Sequence, residues 1–421
     1  MNPTPKTTPA PLCPIPRNGL PGSAASILHI CLLLSSLLVG IGVTQYGVSD
    51  GTAVGFLEPV SAAAVLLLVI HLFRVTRTAK GAVPLLIALG VFLTMATRSI
   101  YPAGILCGIV FTVSEGSLLI AVQPRSKLAA LPVIPLLAYG ITALLSMDFV
   151  SSLVVLLPWP AAWALAAGTR RSAESEDGPN RVGVICGASL ALGLTAAALL
   201  AILLYRMLGT LEPAVLMATV EDIRKEIILA IHTQPLPDGL DPDTFALWTE
   251  MKEYTNVEIT INGIYNLLPA ICAVTVMIFI TICQSVQHAA LRAFGLGECV
   301  TDRVKAFEMS LVSCVVFLAA YLYAILDRSA VTTVGGTVAT NIALILMPGL
   351  ALAGLLRLTR SLTGKGAKGM GCLFYLIVSS FCLLFVAPYI LAAVEVIGHI
   401  FRAVTDKLSF NEDDDDPFKK D

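Results

Sequence analysis

The chain has 421 residues, of which 56% are hydrophobic and only 13% charged, against about 25% charged in an average soluble domain. With a mean hydropathy of +0.84 this excludes an ordinary soluble protein, and at about 20 apolar residues per bilayer crossing the chain can supply about ten or eleven membrane helices. The net charge of −2, from 27 basic and 29 acidic residues, provides no basic field for nucleic acid, so basic patches carry meaning only loop by loop.

In chain order, residues 1–22 are rich in Pro and Thr and predict a short disordered start. The first apolar run is longer than a signal-peptide core and lacks a small-x-small cleavage site, which predicts a retained anchor. Apolar runs bounded by charges, Gly and Pro predict spans at 24–43, 53–72, 82–96, 103–122, 128–146 and 149–167, a six-helix membrane block within 23–168. The third is the shortest, ending before Arg98, and is either little tilted or re-entrant. A linker and a seventh span at 182–204 occupy 169–205, and a polar insertion fills 206–260. Spans at 264–283, 309–326, 338–356 and 371–397 form a C-terminal block of four within 261–400, followed by an acidic, disordered tail over 401–421. The expected fold class is therefore all-α: a polytopic transmembrane helix bundle of about eleven spans with an extracytoplasmic helical hairpin.

Short cytoplasmic loops carry the excess Lys and Arg of a membrane protein. With the N-terminus inside, the alternation puts most of the 27 basic residues on inner segments, among them Arg74, Arg77, Lys80, Arg125, Lys127, Arg170, Arg171, Arg357 and Arg360. This predicts a cell-membrane protein with a cytoplasmic N-terminus and an extracytoplasmic C-terminus. A fold-back at Pro388 would instead return the tail to the cytoplasm.

The insertion has helical grammar. Leu216, Val220, Ile223, Ile227 and Ile231 step by three and four, which predicts one apolar stripe, with Glu221, Asp222, Arg224, Lys225 and Glu226 facing away. The run 235–238 breaks the helix. Asp241 before Pro242 is an N-cap and first-turn start for a second helix carrying Phe245, Trp248, Met251 and Tyr254. A hairpin lying on the outer membrane face follows, either a cover for loop ends or a substrate gate.

Ionisable groups in hydrocarbon are costly and mark functional candidates. Glu58 lies near the outer end of span two, Arg98 at a similar depth at the outer end of span three, and Glu115 deep in span four among Thr112, Ser114 and Ser117. Glu395, Asn266, Gln284 and Asn341 complete the polar set. Glu58 and Arg98 either form an ion pair across an external cavity or snorkel separately to the interface. Glu115 could bind a cation, relay a proton or bond a neighbouring hydroxyl. Substrate-binding candidates are thus Glu115, Glu58, Arg98 and Asn266, with no catalytic residue, cofactor or metal ligand assigned. HExxH, GxSxG and P-loop motifs are missing, the five histidines are scattered, and the GxGxxG at Gly364, Gly366 and Gly369 has no βαβ context.

The ten cysteines form no CxxC; those in apolar runs, including Cys31, Cys107, Cys186, Cys272, Cys283 and Cys314, read as small buried hydrophobes. His71 and His288 read as interface anchors at inner span ends. Small-residue spacings at Gly187 to Ala191 and Gly349 to Ala353 predict close helix approach. Pro84, Pro132, Pro135, Pro158, Pro269, Pro348 and Pro388 recur inside spans, where each frees a carbonyl.

From Glu258 onward, the span INGIYNLLPAICAVTVMIFITICQSVQHAALRAFG with Leu268-Pro269, then NIALILMPGLALAGLLRLTR from Asn341, then FVAPYILAAVEVIGHIFRAVTDKL, resemble the YybS-like family of bacterial multi-pass membrane proteins. The likeness covers roughly the last 150 residues as an order of features. In that family the N-terminal membrane block is similar to the S components of energy-coupling-factor vitamin transporters, and members are often encoded beside a membrane-bound cyclic-dinucleotide phosphodiesterase. The resemblance implies a non-enzymatic subunit that binds or transports a small solute and is energised by another protein. The partners implied are the lipid bilayer with a transporter coupling subunit and ATPase, or a membrane signalling protein. A scaffold or regulator without transport activity is the second expectation, and an intramembrane enzyme the third.

Overall fold

The computed structural model describes residues 22–46, 55–75, 82–123, 131–174, 181–235, 241–295, 309–327 and 333–363, together with 20, 128, 393 and 395–398. Among the described residues there is no strand. The helices are α1 (Gly22–Tyr46), α2 (Leu57–Val75), α3 (Ala82–Thr97), α4 (Tyr101–Val122), α5 (Val133–Ser146), a 3₁₀ turn (Ser151–Leu156), α6 (Trp159–Glu174), α7 (Arg181–Leu208), α8 (Pro213–Thr233), α9 (Pro242–Met251), α10 (Tyr254–Ala293), α11 (Leu311–Leu326) and α12 (Val334–Thr363). Among the described residues, seven segments are long and apolar enough to cross a membrane: Gly22–Tyr46, Leu57–Val75, Tyr101–Val122, Ser151–Arg171, Val182–Leu208, Tyr254–Ala293 and Val334–Ala351. Three more expected spans, at α3, α5 and α11, are apolar helices of shorter length. The expected span at 371–397 and the tail at 401–421 lie outside the described residues, save for 393 and 395–397 of that span.

The chain divides into two compact units, Met1–Leu211 with Val276–Ala306, and Glu212–Thr275 with Phe307–Asp421. Within the first unit, α1 packs along α4. Gly108 makes this approach close, because a Cβ there would sit 2.6 Å from the Ser35 carbonyl oxygen and 2.8 Å from Val39 Cγ2. Gly40 does the same toward α5, where a Cβ would meet Thr142 Oγ1 at 2.5 Å. The hydroxyls of Ser35 and Thr112 hydrogen-bond across the α1–α4 seam at 2.8 Å. Leu28, Leu32, Phe111, Leu118 and Leu119 are fully buried along it. Small residues are what lets helices associate in lipid, where no hydrophobic drive separates one helix from a tail. Gly187 is not such a contact, since nothing lies within 4 Å of a Cβ placed there, whereas Gly349 does meet Met309.

Helix ends in this unit are closed by specific groups. Arg170 of α6 donates to the carbonyls of Ile120, Ala121 and Gln123 at 2.6, 3.1 and 2.8 Å, capping the C-terminus of α4 with a guanidinium. Asp148 accepts from the backbone of Val150 and Ser151 at the start of the 3₁₀ turn and pairs with Arg206 at the end of α7. Partial burial pushes the Asp148 carboxyl up, but hydrogen bonds from Ser151 and Arg206 and the Arg206 charge outweigh it and hold it below the usual carboxylate range. Gln287 in the last third of α10 exchanges hydrogen bonds with Thr169 of α6.

In the second unit, Asp241 caps α9 by accepting from the Thr244 N–H at 3.0 Å, as its place before Pro242 predicts. On α8, Val220, Ile223 and Ile227 of the apolar stripe are exposed, Leu216 and Ile231 are half-buried, and the fully buried residue is Ile228. Arg224, off the stripe, donates to Asn262 of α10 and pairs with Glu221. Tyr254 belongs to α10 and not to the second helix of the insertion. At 40 residues α10 is about 60 Å long, twice a hydrocarbon core. The cysteines are mixed: Cys283 and Cys314 are buried, Cys31 and Cys107 half-buried, and Cys186 and Cys272 exposed. A thiol on an apolar helix face costs little in lipid, so burial is not required of it.

Candidate functional site

The α1–α4 seam is full, and open space lies on the other side of α4. Gly42 of α1 meets Tyr101 and Ile105. Glu58 of α2, Arg98 after α3 and Ile100 before α4 line one hollow. Four helices therefore bring one end each to the same place. Between α2, α3 and α4 runs a cavity of about 300 Å³ lined by Val65, Leu72, Leu86, Gly90, Leu106 and Val110 among others. Thr94 is the one hydroxyl-bearing residue in its lining. Thr94, Met95 and Ile100 also line the wider hollow that holds Glu58, Arg98 and Ser99, so the apolar cavity has a charged mouth.

Local sequence explains both charges. Glu58 stands in the first turn of α2, where the helix dipole favours a carboxylate. Arg98 ends α3 in the left-handed region, φ 53°, so the chain turns there and the guanidinium is left at the rim. Both side chains are exposed. The ion pair open to Glu58 and Arg98 does not form: among the described residues the ion pairs are Arg206–Asp148, Arg224–Glu221 and Lys225–Glu221.

Glu115 is elsewhere. It lies one turn beyond Phe111 on α4, fully buried, and does not line the cavity. Among the described residues neither carboxyl oxygen has a hydrogen-bond partner, and Cys31 of α1 is within electrostatic reach. Thr112, Ser114 and Ser117 are buried around it, but Ser114 and Ser117 turn their hydroxyls back to the carbonyls of Val110 and Ser114. The His71 ring packs on Phe111 at 5.7 Å, and its Nε2 is buried.

Asn266 belongs to the second unit, and its backbone carbonyl accepts a hydrogen bond from Asn341. Pro269 interrupts α10. There Asn341 of α12 inserts its amide, donating to the Asn266 carbonyl at 2.8 Å and accepting from the Ala270 N–H at 3.0 Å. One side chain thus bridges the two backbone groups that would otherwise bond each other along the helix. Sequence places Asn341 in the polar set and Arg170 on an inner segment, but neither the bridge that the one makes nor the cap that the other makes follows from residue type alone. The usable signals were an Arg closing an apolar run and an Asn in one span matched to a Pro in another.

Among the described residues no group of three His, Cys, Asp or Glu could hold a metal ion. No family model matches the chain, and no curated protein or solved structure matches it significantly. Fold and composition together define the class: an all-α chain with the make-up of a multi-pass membrane protein.

Proposed function

We propose that this chain is a non-enzymatic solute-binding or transport subunit, energised by another protein, with its site in the α2–α3–α4 cavity. The observation that carries this reading is an apolar cavity of about 300 Å³ opening into a hollow with one acid and one base that do not pair with each other. Ligand sites combine an apolar lining with a few polar groups that fix orientation, at volumes of about 300–1,000 Å³. The order of features from Glu258 onward supports a place among YybS-like proteins, with an S-component-like block at 23–168. We further read about eleven spans, a cytoplasmic N-terminus, and the 206–260 segment outside the cell membrane.

Native mass spectrometry of the protein gently extracted from its membrane tests this. A retained small molecule, or a coupling subunit with its ATPase, is the expected result. Bulk lipid alone together with a signalling or envelope protein would replace it with the scaffold reading. One observation favours that alternative: Met217, Ile223 and Ile227 on α8 and Phe245, Trp248 and Met251 on α9 are all exposed, an apolar surface suited to a headgroup layer or a partner.

A further inference from the structure

Resting on the cavity reading, we infer that the ligand is a zwitterionic amphiphile, its ammonium at Glu58, its anionic group at Arg98, and a single apolar chain or compact ring system in the cavity. Two features of the mouth point to this class. Glu58 and Arg98 share one hollow, yet no ion pair joins them. Two opposite charges that face a common space without meeting match a ligand carrying both signs, each placed against its complement. A purely anionic ligand would meet Arg98 but be repelled by Glu58, and a purely cationic one the reverse.

The body of the ligand follows from the lining. Beyond Thr94 the walls are hydrocarbon or sulfur, from Val65, Val69 and Leu72 on α2 to Leu106, Cys107 and Val110 on α4, so a polar body such as a sugar would leave its hydroxyls without partners. The volume of about 300 Å³ is at the small end of ligand pockets. It therefore takes one chain, and a two-chain lipid exceeds it. Gly90 sits in the wall, and a Cβ placed there would have only Ala103 Cβ near it, at 3.9 Å, so a large side chain at this position enters the cavity without displacing packed atoms.

The test uses full-length protein in a neutral glycoside detergent. It is titrated with four ten-carbon amphiphiles, a lysophosphatidylethanolamine, an alkyl sulfate, an alkyltrimethylammonium and an alkyl maltoside, and bound probe is counted by native mass spectrometry. The zwitterion is expected to be held about tenfold more tightly than each of the others. Glu58→Gln should remove its advantage over the sulfate, and Arg98→Gln its advantage over the ammonium. Both residues are exposed, so an unchanged unfolding temperature accompanies each loss. Equal retention of all four probes, or an advantage that survives both substitutions, overturns the ligand class while leaving the cavity as a site. If Gly90→Phe leaves retention of every probe unchanged, the cavity is not the site and the underlying reading fails with it.

Discussion

The two faces of α4 solve opposite problems. Toward α1 it presents Gly108, where a Cβ would fall 2.6 Å from the Ser35 carbonyl oxygen, and Thr112, whose hydroxyl bonds that of Ser35, while Gly104 and Gly116 are in ordinary contact with Leu38 and Leu32 of α1. Toward α2 and α3 it presents Ala103, Leu106, Cys107 and Val110, and the helices stand apart around a cavity. Polar residues concentrate on the full side, and the empty side is apolar. In this protein, therefore, buried hydroxyls mark helix contact, while room for a ligand occurs where large aliphatic side chains meet the short helix α3 without filling the gap.

The sharpest way to break this comparison is to add the same atoms to both faces. Gly108→Ala, whose Cβ would fall 2.6 Å from a backbone oxygen, is expected to cost about 3 kcal/mol. Gly90→Ala, meeting only a methyl at 3.9 Å, should change stability by less than about 1 kcal/mol. Thermal unfolding of the two variants side by side measures the difference, and equal losses would mean that both faces are packed alike.

Next in size is the closure of α4. Arg170→Ala removes three hydrogen bonds to its terminal carbonyls and should lower stability by about 2 kcal/mol. Arg170→Lys should recover only part, because an ammonium lacks the fork that reaches several carbonyls at once. The second unit gives a parallel case. Asn341→Ala removes the hydrogen bonds to the Asn266 carbonyl and the Ala270 N–H and leaves the two groups only each other along the helix, at a cost of about 1 kcal/mol, read as faster exchange of the Ala270 amide.

Outside the spans, Asp148 makes a pH prediction. Its folded value lies below the ordinary one, so its contribution is fully present above about pH 4 and is lost as pH falls through the depressed folded value. Arg206 is half exposed, so screening keeps the effect under about 1 kcal/mol. Unfolding temperatures at pH 7 and pH 3 should therefore converge slightly in Asp148→Asn relative to the parent. The smallest expected effect is that of Glu115→Gln on ligand retention. Glu115 does not line the cavity, so affinity should stay within about twofold, and a larger loss would tie the buried carboxyl to the site.

Much of the helix order was legible in sequence because hydropathy is a property of each segment by itself. The cap at Asp241 and the shortness of α3 both followed from local pattern. What local pattern does not show is the partner that each face meets. Periodicity finds an apolar stripe on α8, but not that Arg224 beside it bonds Asn262 of α10. Gly187 and Gly108 both stand in small-residue spacings of four, Gly187 with Ala191 and Gly108 with Gly104, yet Gly187 faces open space and Gly108 makes the close contact. Of the four candidate binding residues, Glu58 and Arg98 line one hollow, Glu115 is buried away from it in the same unit, and Asn266 lies in the other, its carbonyl bonded to Asn341.

By itself, then, the sequence determined that this is a chain of apolar helices made for lipid, how they are ordered, and which few residues carry charge among them. Only the tertiary structure decided that the space lies between α2, α3 and α4, that its mouth holds an acid and a base that do not meet, and that Asn341 completes the helix around Pro269. In lipid every helix face can be apolar, so hydropathy does not say which face meets a neighbour. That choice falls to the few small and polar side chains whose partners lie far away along the chain.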